Sequence, residues 1–182
     1  MAGLLFLAFA YLAVGQAAAN RNGAQTAADA AALAAALDTR DQLRDEWVLN
    51  ILDPTKWQAI FDGDGVPFDG CARAGQLAAQ NNATVTGCDS LPGLPPGYKV
   101  ETRNDKSVGD SIVPGTESRH ATESATAVID PICDFELPGA GADPAVLPKL
   151  TCRDREWTLD PEDLTNLPGP EDLFDVHLAD DE

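Results

Sequence analysis

The sequence predicts an α+β protein in which a long N-terminal membrane and stalk helix is followed by a small, loop-rich α+β domain with two disulfides. Three observations predict this. No charged residue occurs from Ala2 to Ala19, and no proline interrupts the chain before Pro54. Beyond that proline, Gly, Pro and mixed polar residues take over. The four cysteines, Cys71, Cys88, Cys133 and Cys152, fall in sequential pairs separated by 17 and 19 positions. The expected division is a helix over residues 1–53, a domain over 54–153 and an acidic tail over 154–182. A chain of 182 residues has room for one ordinary domain plus an appended element. Its formal net charge of -18 excludes nucleic acid as a partner, because a phosphate backbone would be repelled.

The only strongly polar side chain between Ala2 and Ala19 is Gln16. A bilayer core requires about 20 mostly apolar residues, or about 17 at the short end, and this run meets the short end. Two readings compete. A cleaved signal peptide would use "LLFLAFAYLAV" as its apolar region and Ala17-Ala18-Ala19 as its small-x-small site, yet only Met1, Ala2 and Gly3 stand where basic residues belong. An uncleaved single-pass anchor is favoured by continuity, since the interruption at Gly23 costs only about 1 kcal/mol. The missing Lys or Arg ahead of the run leads to the expectation of a basic leader upstream of Met1, which would set orientation. The acidic, cysteine-bearing remainder is then expected outside the cell membrane, where disulfides persist.

Residues 20–37, "NRNGAQTAADAAALAAAL", continue the helix. At 100° per residue Ala24, Ala28, Ala31 and Ala35 form one stripe, opposite Thr26, Ala30, Leu33 and Leu37. Such a stripe lets a second backbone approach closely, which makes it a candidate helix-packing interface. On this reading Ala28→Leu disrupts assembly and leaves the domain folded. Alanine has the highest helix propensity, so the segment holds its shape unaided. The helix is expected to stop at Asp53-Pro54, where proline disfavours a helical preceding residue.

The run from Asn22 to Ala36, "NGAQTAADAAALAAA", directly behind an apolar segment, resembles the N-terminal signature of the bacterial Tad (Flp-type) pilus-assembly proteins of the TadE/TadG-like group. The resemblance covers about the first 45 residues. It implies a non-enzymatic, membrane-anchored, pilin-like component of a Tad secretion and pilus system. Its partners would be other Tad subunits, met through the N-terminal helix, and no cofactor is implied. The chain departs from the pattern in lacking the basic leader.

In the domain, Trp57, Ile60 and Phe61 are candidates to cap a core, and "CARAGQLAAQNNATV" reads as a short helix burying Ala72, Leu77 and Ala78. "YKVETR" alternates Tyr98, Val100 and Thr102 against Lys99, Glu101 and Arg103, and "SATAVID" places Ala125, Ala127 and Ile129 on one face, so both read as strands. A further short strand is expected at Ser111 to Val113. The segment between Cys133 and Cys152 is too rich in Pro and Gly for regular structure. Four cysteines allow three pairings, of which nearest-neighbour pairing is the simplest. In the tail, Leu173, Phe174 and Val176 form a short amphipathic turn able to dock on the domain.

Candidate chemistry is weak. Asp62, Asp64 and Asp69 suggest a calcium loop, but the ligand positions occupied by Val66 and Arg73 do not fit, and a turn is the better reading. Glu162 and Asp163 are expected on a solvated surface rather than as an acid–base pair. "GAGAD" lacks the lysine of a phosphate loop. His120 and His177 have no motif context, and Trp47 and Trp57 read as packing anchors. The alternative function is a secreted, soluble acidic binding module.

Overall fold

The computed structural model describes residues 2–107, 118–139 and 146–179. The first helix, α1, runs unbroken over Ala2–Leu49, 48 residues and about 72 Å. Asn50 N–H donates to the carbonyls of both Glu46 and Trp47, and this turn ends the helix ahead of Pro54. A 3₁₀ turn (Pro54–Lys56) leads into α2 (Trp57–Phe61) and, after a loop, α3 (Cys71–Gln80). Gly63 and Gly65 adopt φ of +95° and +93°, so the Asp-Gly pairs are turns that glycine makes accessible.

Four antiparallel strands form the main sheet: β1 (Ala83–Leu91), β2 (Gly97–Asn104), β3 (Thr122–Pro131) and β7 (Phe174–Leu178), in the order β1-β2-β3-β7. A smaller sheet joins β4 (Cys133–Phe135), β5 (Leu150–Cys152) and β6 (Arg155–Trp157). A short helix, α4 (Pro170–Leu173), precedes β7. The expected strands over residues 98–103 and 124–130 are present as β2 and β3. Tyr98, Val100 and Thr102 are buried on one face of β2, and Ala125, Ala127 and Ile129 on the same face of β3. The expected strand at Ser111 to Val113 lies outside the described residues.

The second half of α1 lies across this sheet as the spine of the domain. Ala24, Ala28, Ala31 and Ala35 are fully buried, as are Ala27, Ala32 and Ala36. Their small side chains bring the helix backbone down to the sheet: Thr102 Oγ1 donates to the Ala24 carbonyl at 3.0 Å. The alanine stripe expected to meet a neighbouring helix is therefore covered by the chain's own sheet while the domain is folded. Below it, Leu43, Trp47 and Ile51 join Trp57, Ile60, Phe61, Leu150 and Phe174 in the core. Trp47 meets Trp57 edge to face at 5.5 Å, Trp57 meets Phe135 at 5.3 Å, and Phe61 contacts both Phe135 and Phe174. Contacts of this kind contribute about 0.5–1.5 kcal/mol each beyond burial.

Two disulfides close the loops. Cys71–Cys88 ties α3 to β1, and Cys133–Cys152 ties β4 to β5. The tail is folded into the domain: Leu173 and Phe174 are buried, and β7 is an edge strand of the main sheet with Val176 opposite Ile129. In α3 the buried residues are Ala74 and Ala78, while Ala72 is exposed and Leu77 half-buried.

Among the described residues, no helix is long and apolar enough to cross a membrane. This corrects the expected single-pass anchor, and with it the expected placement in the cell membrane. The physical reason is the reach of the apolar run. Of the 18 uncharged residues from Ala2 to Ala19, the strongly apolar stretch from Leu4 to Val14 covers 11, about 16 Å of helix, against a hydrocarbon core of about 30 Å. Gly15 and Gln16 follow, then Asn20, Arg21 and Asn22.

Candidate functional site: the protruding end of the first helix

Helix α1 divides at Asn20. From Val14 to Ala19 every residue is exposed, and the hydrogen bonds that tie α1 to the domain begin one position later. Asn20 Nδ2 donates to the Lys106 carbonyl at 3.2 Å, and Asn104 Nδ2 donates to Asn20 O at 2.6 Å and to its Oδ1 at 2.9 Å. Arg21 Nε pairs with Glu123 Oε1 at 2.6 Å on the other side. Gly23 fits beneath: a Cβ there would approach Asn104 Nδ2 to 3.3 Å. These contacts fix the direction in which the helix leaves the domain.

Beyond this collar, residues 3–19 extend about 25 Å. Leu7, Tyr11 and Val14 are 64%, 83% and 69% exposed. Spaced four and three residues apart, they lie on one side of the helix and form a ridge. Burying a side chain of this size contributes about 1.5–3 kcal/mol, so three exposed ones in line make the ridge a candidate association surface. The uncharged run was legible in the sequence. What only the structure supplies is that none of the described residues of the domain reaches back to cover the ridge.

At the domain's centre Tyr98 is fully buried, its Oη 2.8 Å from Thr39 Oγ1, and it accepts the Gly70 N–H at 3.0 Å. Gly70 is required there, because a Cβ would meet the Ala35 carbonyl oxygen at 2.5 Å. This polar junction locks α1, α3 and β2 together. Sequence reasoning missed it, and its one signal was a buried-face tyrosine whose hydroxyl needs a partner.

The remaining candidates are scattered. His120 Nδ1 lies 2.7 Å from the Asn104 carbonyl oxygen. His177 sits 3.7 Å from Asp130 and 3.8 Å from Asp175, all three part-exposed. Among the described residues no group of three or more His, Cys, Asp or Glu is arranged to hold a metal ion. Asp163 accepts hydrogen bonds from the hydroxyl and backbone N–H of Thr165, and these hold its carboxyl below the ordinary value of 3.8. Glu162 N–H donates to Asp160, and the pair 162–163 belongs to an exposed turn. No protein-family model matches the chain, and no curated protein or solved structure matches it either.

Proposed function

We propose that this chain is a non-enzymatic, pilin-like component of a Tad-type pilus and secretion apparatus, which associates with other subunits through the protruding end of α1. The observation that carries the reading is the ridge of Leu7, Tyr11 and Val14, held clear of a domain that uses the rest of the same helix as its spine. Support also comes from the Asn22 to Ala36 signature and from the two disulfides, which suit an oxidising compartment. Chemistry is not required of such a subunit. Its work is to present a rigid acidic domain at the end of a helix that packs with its neighbours.

The reading is tested by placing a charge on the ridge. Tyr11→Asp combined with Val14→Asp should lower the yield of surface pili sheared from the producing cell, with the chain itself accumulating normally. Undiminished pili from that variant would sink the proposal. A second reading, a secreted acidic binding module, is favoured by one observation: contact with the domain starts at Asn20, directly after Ala17-Ala18-Ala19. Sequencing the N-terminus of the mature protein separates the two, because a start at Asn20 removes the ridge altogether.

A further inference from the structure

A groove between α1 and α3, of about 680 Å³, has no occupant among the described residues. Ala30, Leu33, Ala34 and Leu37 line it from α1, and Ala72 and Leu77 from α3. Leu37 is 38% exposed and both Leu33 and Leu77 are half-buried, so apolar carbon faces water. The polar groups at its rim are engaged with one another. Arg40 Nη2 lies 2.8 Å from Asp41 Oδ1, Gln42 Nε2 donates to Asp38 Oδ2 at 3.1 Å, and Arg73 Nη1 donates to Gln76 Oε1 at 2.7 Å.

Charge restricts what fits. On a protein of net charge -18 an acidic segment entering the groove is repelled by the surrounding field, and a basic one finds the rim carboxylates already bonded. An uncharged helix meets neither obstacle, and the longest uncharged stretch in the sequence is the first 20 residues, which include the ridge. Lengths agree as well. Leu7, Tyr11 and Val14 repeat at i, i+4 and i+7, and so do Ala30, Ala34 and Leu37, each set spanning about 10 Å. Large side chains facing small ones let two helices interlock closely. Ridge and groove are 23 residues apart on one continuous helix, about 35 Å, so no copy can fill its own groove.

We propose that the α1–α3 groove receives the Leu7–Tyr11–Val14 ridge of a second copy of this chain. The inference rests on the self-association proposed above and names the surface that receives it. Because the two surfaces differ and each copy carries both, the contact is heterologous and propagates head to tail instead of closing as a dimer.

The test uses two full-length variants, Tyr11→Cys and Leu37→Cys. Among the described residues no cysteine is free, so the new thiol is the reporter. Mixed under a mild oxidant, the variants should form a disulfide-linked pair that is scarce or missing when either is oxidised alone. Leu77→Asp, on the α3 wall, should weaken self-association by about tenfold or more, the consequence of losing one large apolar contact. Its thermal melt should still report a folded domain. If Tyr11→Cys chains link to one another alone as readily as in the mixture, ridges meet ridges; the groove proposal falls and self-association stands. If no link forms and the full chain stays monomeric at every concentration, both fall.

Discussion

The two ends of α1 are built from similar residues and do opposite things. Over residues 24–36 the helix is mostly alanine and is buried against the sheet, while ahead of Asn20 it is also apolar and leaves Leu7, Tyr11 and Val14 uncovered. Helix formation does not distinguish them, because alanine and leucine favour a helix in either place. The difference lies in side-chain size relative to the neighbour. Alanines let a sheet approach within hydrogen-bonding distance of the helix backbone, as Thr102 does at Ala24, whereas a ridge of large side chains holds a surface at a distance and needs a groove to receive it.

That contrast makes predictions of decreasing size. The largest effect belongs to the buried end, where Trp57→Ala would leave Trp47 and Phe135 without their common partner. Denaturant unfolding should show a loss of about 3–5 kcal/mol, the range for removing a large core aromatic. A loss within error of zero would mean that the lower core is not packed as described. Next comes Ala28→Leu, which on sequence grounds alone would leave the domain intact. Since Ala28 is fully buried against the sheet, the added methylenes must displace strand backbone or side chains, costing about 1–3 kcal/mol. A melting temperature equal to wild type would show that the spine is not pressed on the sheet, and would return the alanine stripe to the surface.

The smallest effect is local and touches neither end of α1, so it serves as a control. A titration of the Asp163 carboxyl carbon by NMR should have a midpoint below 3.8, and Thr165→Ala should return it toward that value. The sign follows from the depressed folded value. Whatever stability this turn contributes is present above the unfolded pKa and is lost as pH falls through the folded one. A midpoint at or above 3.8 in wild type would show that the turn over Asp163 and Thr165 is not formed in solution.

Much of the domain was legible because its strands alternate. Tyr98, Val100 and Thr102 in β2, and Ala125, Ala127 and Ile129 in β3, carry the period of two that a half-buried strand imposes. β1 was missed, since Ala83 to Val85 read as the end of the preceding helix and an irregularity between Val85 and Gly87 breaks the alternation. The acidic tail was legible only as a docking turn, because the backbone pairing of β7 with β3 depends on residues more than forty positions away. The alanine stripe was visible, but its partner was not. A row of small side chains says that something comes close, and both a helix and a sheet satisfy that condition.

By itself, the sequence determined that a long helix forms and stops before Pro54, though at Leu49 and not at Asp53, that two strands are half-buried, and that acid dominates the surface. These are properties of local propensity, periodicity and charge, which act over a few neighbouring residues or do not depend on fold. Only the tertiary structure decided which face of the helix is covered and by what. That choice turns on the shape and depth of surfaces brought together from residues 24, 98, 125 and 174, and no window along the chain contains them all.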